Sequence, residues 1–176
     1  MDFPEEGLWL IGRLSQNLMA RNLVLGTVES CTGGLASVLC TNVPGASRWF
    51  GGCVVPYTNN LKHSILGVSK ELIADHGAVS GPVAEAMAAS ALRVLGVSVS
   101  LAISGVAGPD GGSDDKPIGT VWIATAMYPR VSSISGAFPP PVVQSFCRQF
   151  PGMRDDVRFG AALAGIGAVD ALLRLR

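Results

Sequence analysis

Leu23-Val24-Leu25-Gly26-Thr27-Val28-Glu29-Ser30-Cys31-Thr32-Gly33-Gly34 passes from an apolar run into a polar turn, and Leu35 to Cys40 resumes as a helix. A short apolar run bounded by turn residues reads as a buried strand. Strand, turn and helix in that order is the repeating unit of α/β domains. The alternation continues on both sides. Before it, Leu8, Ile11, Leu14 and Leu18 recur at helical spacing, which predicts a helix over residues 5–20. Glu5 and Glu6 fall in its first turn, where they complement the helix dipole.

After it, Val43 to Ser47 reads as a loop and Phe50 to Tyr57 as a second strand. Short helices are expected over residues 59–66 and 70–76, stopped by Gly67 and Gly77. Ser80 caps a longer, alanine-rich helix that Gly96 closes. Val97, Val99, Leu101 and Ile103 alternate with smaller residues in a strand to Ser104. A Gly/Asp-rich loop over residues 105–116 leads to a strand over 120–127. Residues 129–141 form an irregular Pro/Ser-rich connection before a strand over 142–150, expected at an edge. A last helix runs from Arg154 to Leu175, with Phe159, Leu163, Ile166 and Leu173 on one stripe. No helix separates the last strands, so the sheet is expected to be mixed. The expected fold is a single α/β domain over residues 1–176, a three-layer α/β/α arrangement with a mixed sheet.

Composition excludes several classes. The 176 residues carry 13 Lys+Arg and 13 Asp+Glu, so no basic excess exists to drive nucleic-acid binding. Charged residues are 15%, against about 25% in ordinary soluble domains, while 48% are hydrophobic. The chain is therefore not disordered, and its elements are expected to be buried on both faces. Mean hydropathy is +0.40. Even so, the longest uncharged stretch, Ser30 to Ser47, is cut by Gly33-Gly34 and Pro44-Gly45, so no membrane span is expected. The first residues are acidic where a signal peptide is basic, which predicts a cytoplasmic protein. Cys31, Cys40, Cys53 and Cys147 form no Cys-x-x-Cys pair, and His63 and His76 stand apart from them, so no metal site is expected. Cys40, Cys53 and Cys147 read as buried, reduced thiols.

Three segments are chemically unusual. Taken alone, Glu29 to Gly34 reads first as a hydroxyl N-cap with glycines for a tight turn. It also lifts a hydroxyl out of the sheet beside backbone N–H groups able to hold an anion. Tyr57-Thr58-Asn59-Asn60-Leu61-Lys62-His63 places a lysine at a strand-to-helix junction. Such a lysine is a base only if burial or a neighbouring cation lowers its pKa from about 10.4. Otherwise it is a surface lysine beside a half-buried tyrosine. Gly105-Val106-Ala107-Gly108-Pro109-Asp110-Gly111-Gly112 follows a buried strand, where open α/β sheets bind ligands. A flexible hairpin loop accounts for it equally well. The phosphate-loop pattern, the dinucleotide Gly-x-Gly-x-x-Gly after a strand and the Gly-x-Ser-x-Gly elbow are absent.

The three segments occur together with Val43-Pro44-Gly45, His76-Gly77-Ala78-Val79-Ser80, Lys116-Pro117 and Phe150-Pro151-Gly152, in one order. From about Leu8 to its end the chain resembles the CinA C-terminal domain family, the nicotinamide mononucleotide deamidases, in their stand-alone form. The resemblance implies hydrolysis of the carboxamide of nicotinamide mononucleotide to nicotinic acid mononucleotide and ammonia, with no cofactor. It implies Ser30 as nucleophile and Lys62, directly or through Tyr57, as the base. Backbone groups of Cys31, Thr32, Gly33 and Gly34 would hold the oxyanion, and the loop with Gly105 and Gly108 would line the nucleotide pocket. Arg154 is a candidate phosphate ligand, and a homodimer or higher homo-oligomer is expected. Glu29 is expected to accept hydrogen bonds from the loop rather than to act as an acid. Two alternatives stay open. Cys31 could be the nucleophile, since thiols are intrinsically better at it. Pro56 and Met153 depart from the family pattern, and they raise a non-catalytic nucleotide-binding or interaction domain of the same fold.

Overall fold

The computed structural model describes residues 5–129 and 139–174. Its elements are α1 (Glu5–Ala20), β1 (Leu25–Glu29), α2 (Leu35–Thr41), a 3-10 turn (Ala46–Arg48), β2 (Phe50–Val54), α3 (Asn59–Leu66), α4 (Lys70–His76), α5 (Gly81–Val94), β3 (Val99–Gly105), β4 (Thr120–Met127), β5 (Val142–Gln149) and α6 (Arg154–Arg174). The strands form one sheet in the order β2-β1-β3-β4-β5. β1 pairs in parallel with β2 and β3, whereas β3–β4 and β4–β5 are antiparallel. The sheet is mixed, as expected, and β5 is an edge.

One core lies between the sheet and α1, α2 and α6, built on Ile11, Leu14, Leu101, Ile103, Ile166 and Leu172. The other lies beneath α3, α4 and α5, built on Leu66, Val83, Met87, Leu92 and Ala124. The arrangement is thus the expected three layers.

Three strand boundaries and one burial pattern differ from the sequence expectation. β1 begins at Leu25 rather than Leu23 because residues 21–23 close α1. Asn22 takes φ 54 and Leu23 N donates to Leu18 O at 2.9 Å. β3 begins at Val99 rather than Val97 for the same reason, since Gly96 has φ 62 and Val97 N donates to Leu92 O. β2 stops at Val54 rather than Tyr57, just short of Pro56, which has no N–H to donate to a sheet. In α6 the buried set is broader than one stripe. Val157, Ala161, Ala162, Val169 and Leu172 are buried with Ile166 and Leu173, while Phe159 and Leu163 are only half-buried. The helix lies on β3 and β4 with α1 and α2 alongside, so it meets protein on more than one side. Gly165 makes the close approach possible: a Cβ there would stand 3.0 Å from Leu101 and Ile103 side-chain atoms.

Of the thiols expected to be buried, Cys40 is buried, Cys53 is half-buried and Cys147 is exposed. Cys147 lies on the edge strand β5, which exposes most of its residues. The Pro/Ser-rich connection falls largely on residues 130–138, outside the described residues. Among the described residues no helix is long and apolar enough to cross a membrane.

Candidate active site

The chain leaves β1, pairs β2 on one side of it, then crosses through α3, α4 and α5 to β3 on the other side. That reversal opens a crevice at the carboxyl ends of β1 and β3, the usual ligand position in open α/β sheets. A cleft of about 280 Å³ lies there. Ser30 and Cys31 line it from the end of β1, Tyr57, Asn59 and Lys62 from the β2–α3 junction, and Ala78 and Val79 from the approach to α5. The opposite wall is Ser104 to Gly108 with Asp110 and Gly111, and Arg154 closes one side.

Ser30 is held by its own backbone, whose N–H donates to Ile103 O at 2.9 Å. Thr58 caps α3, accepting from Leu61 N at 3.3 Å, which sets Lys62 in the first turn. The lysine side chain points inward and is 1% exposed. Its Nζ lies 3.2 Å from Ser30 Oγ, 3.0 Å from Pro56 O and 3.3 Å from Tyr57 O. Burial pulls the Lys62 pKa below its ordinary value. A neutral amine has two N–H bonds and one lone pair. With the amine neutral, the two carbonyls would accept its two N–H bonds and leave the lone pair for the Ser30 hydroxyl. Pro56, which departs from the family pattern, supplies one of these carbonyls.

Cys31 also lines the cleft, but burial pushes its thiol up to about 11. At neutral pH it is a protonated thiol, and the thiolate is the reactive form. The side chain within hydrogen-bonding distance of the Lys62 amine is that of Ser30. Glu29 is fully buried and accepts from Ala36 N at 3.0 Å, Ser37 N at 2.8 Å and the Thr27 hydroxyl at 3.1 Å. It binds the first turn of α2 to the end of β1, an acceptor role.

Other expected residues sit differently. Thr32, Gly33 and Gly34 do not line the cleft. Gly33 N donates to Ser30 O at 3.1 Å, and Gly33 and Gly34 take φ 62 and 94 to turn the chain. Of the four residues from Cys31 to Gly34, Cys31 alone lines the cleft. Tyr57 is 54% exposed, and its hydroxyl accepts from Arg154 Nη2 at 3.1 Å. The Tyr57 backbone, not its hydroxyl, meets Lys62. Arg154 reaches the cleft within its own chain and also donates to Gly108 O. Gly105 and Gly108 both line the cleft, and each is tightly packed there: a Cβ on Gly105 would crowd Val121 at 2.6 Å, and one on Gly108 Ile118 at 2.8 Å. Met153 is 80% exposed, and its N–H donates to Asp156 Oδ2 at 2.8 Å.

Ser104 was not among the expected site residues. It is buried at the cleft and donates to Ala78 O at 2.7 Å, joining two walls. Its signal in the sequence was a hydroxyl at the end of an alternating apolar strand, directly before Gly105.

The family model of the CinA C-terminal domain matches residues 10–173. A putative competence-damage inducible protein of Symbiobacterium thermophilum is 47% identical over 160 residues, 90% of this chain and 36% of that protein. This chain therefore spans about a third of that relative's length. The nicotinamide-nucleotide amidohydrolase PncC of Pseudomonas putida is 43% identical over 166 residues, 94% of each chain. Among solved structures, a CinA superfamily protein from Klebsiella pneumoniae 700603 superposes with a TM-score of 0.86 at 29% identity, covering 97% of this chain and 99% of that one.

Proposed function

The chain belongs to the CinA C-terminal domain family, and on that premise we propose that it is a nicotinamide-nucleotide amidohydrolase working through Ser30 and Lys62. The observation that carries the mechanism is the buried Lys62 amine 3.2 Å from Ser30 Oγ. The substrate reading is supported by the PncC relative, whose match covers 94% of each chain.

Lys62 takes the Ser30 proton as Oγ adds to the carboxamide carbon. The oxyanion that forms sits beside the Cys31 N–H, at the place such charge is usually stabilised. Lys62 returns the proton to the departing nitrogen, the C–N bond breaks, and ammonia leaves an acyl-serine. Water then attacks this ester with Lys62 again accepting a proton, which releases the acid and restores Ser30. The chemistry needs no metal or cofactor. Tyr57 acts through its backbone carbonyl on Lys62 and through its hydroxyl on Arg154, which places the arginine to meet a substrate phosphate. Arg is suited to that contact by its planar fork.

Ammonia release from nicotinamide mononucleotide by the wild type and by Lys62→Ala tests the reading. We expect turnover by the first and a loss of at least about 100-fold in the second. Binding without turnover by the wild type would instead mark a non-catalytic domain. Size-exclusion chromatography tests the homodimer that the resemblance implies.

A further inference from the structure

We propose that Arg158 is a positioning residue for the nucleophile, holding the loop that carries Ser30 from outside the cleft; this rests on the Ser30 reading above. Arg158 lies on α6, one turn beyond Arg154, and does not line the cleft. Its Nη2 donates to Thr32 O at 3.2 Å, and its Nη1 pairs with Asp155 Oδ1 at 3.2 Å.

The loop cannot fix itself through its side chains. The Thr32 hydroxyl is buried yet has no hydrogen-bond partner, and Gly33 and Gly34 have no side chains to anchor. What holds residues 30–34 is backbone. Leu35 N and Arg158 both reach Thr32 O, while Gly33 N closes onto Ser30 O. The Thr32–Gly33 peptide is thus held at both ends, with Arg158 reaching it from another element, as Ile103 O of β3 reaches Ser30 N. Gly33 leaves the room for it: a Cβ there would stand 3.4 Å from Arg158 Nη2. Ser30 is two residues from the clamped carbonyl, and its Oγ must keep its 3.2 Å separation from Lys62 Nζ. Misplacement of a reacting group by about 1 Å costs on the order of 100-fold in rate.

The test is the kinetics of Arg158→Met and Arg158→Lys with nicotinamide mononucleotide, beside their thermal melts. Methionine keeps the aliphatic stem, and lysine keeps one donor. We expect Arg158→Met to lower kcat by about 10- to 100-fold, with KM within about twofold and the melting temperature close to wild type. Arg158→Lys should recover part of the lost kcat. Labelling of Ser30 by a small fluorophosphonate should slow in parallel, because it reads the nucleophile without the nucleotide. Unchanged kcat and labelling would overturn the proposal. So would a KM rise with kcat intact, which would make Arg158 a substrate ligand. A wild type that releases no ammonia would sink the amidase reading instead, so the two failures are distinct.

Discussion

In the proposed mechanism Ser30 and Lys62 divide the labour of a hydrolase between a hydroxyl at the end of β1 and an amine in the first turn of α3. Removing the hydroxyl removes the bond-forming atom, so Ser30→Ala should release ammonia at least about 100-fold more slowly. Cys31→Ala should stay within a few-fold of wild type, since the Lys62 amine meets the Ser30 hydroxyl and burial keeps the Cys31 thiol protonated. Retained activity in the first and loss in the second would reverse the assignment. The pH profile follows from Lys62. Its pKa is lowered by burial, and the neutral amine is the active form, so the rate should rise with pH through that lowered pKa and fall below it. A rate flat into mildly acidic buffer would exclude Lys62 as the base. This pair was legible in the sequence as a hydroxyl at a strand end and a lysine at a strand-to-helix junction. Its burial was not, because Lys62 reads as any solvated lysine until α3 is folded against the sheet. The direction of the Tyr57 hydroxyl, toward Arg154, was not legible for a related reason. A side chain's direction is set by tertiary contacts, and Arg154 lies far along the chain.

Among the elements, α2 depends most on a single side chain. Its first-turn N–H groups end on Glu29 rather than on an N-cap side chain, and Gly34 at the cap position has none. Glu29→Ala would strand two N–H donors in a dry site, so unfolding by urea should show a loss of about 3 kcal/mol. Loss near zero would mean that water replaces the carboxylate. α3, α4 and β4 fell on their expected residues because caps and glycines mark their ends locally. Thr58 and Ser69 cap, and Gly67 has φ 72. β1 and β3 started late because Leu23 and Val97, apolar enough to read as strand, are used to close the preceding helices. Periodicity cannot distinguish these two uses of an apolar residue.

At the scale of the molecule, α6 is fitted to the sheet by small residues such as Gly165 and tied to α1 by an ion cluster around the buried Asp170. Asp170 on α6 is 3% exposed and pairs with Arg13 on α1 and with Arg174, each at 2.7 Å. Asp170→Ala should cost about 1–3 kcal/mol in thermal or urea unfolding, because both arginines keep access to water. Gly165→Val should cost about 1–3 kcal/mol by forcing α6 off Leu101 and Ile103, read by the same melts. The three-layer fold was legible from alternation and low charge. The order β2-β1-β3-β4-β5 was not, because local patterns do not encode which strand neighbours which.

Ser30 leads into α2 on one side of the sheet, and Lys62 belongs to α3 on the other. The pair is therefore a caliper closed across the molecule, each jaw carried by a different slab of helices. A small slip of one slab opens the jaws while every helix and strand persists. Activity should then vanish at lower urea than the far-ultraviolet circular dichroism signal, and coincident midpoints would show that the slabs part only when the whole chain unfolds.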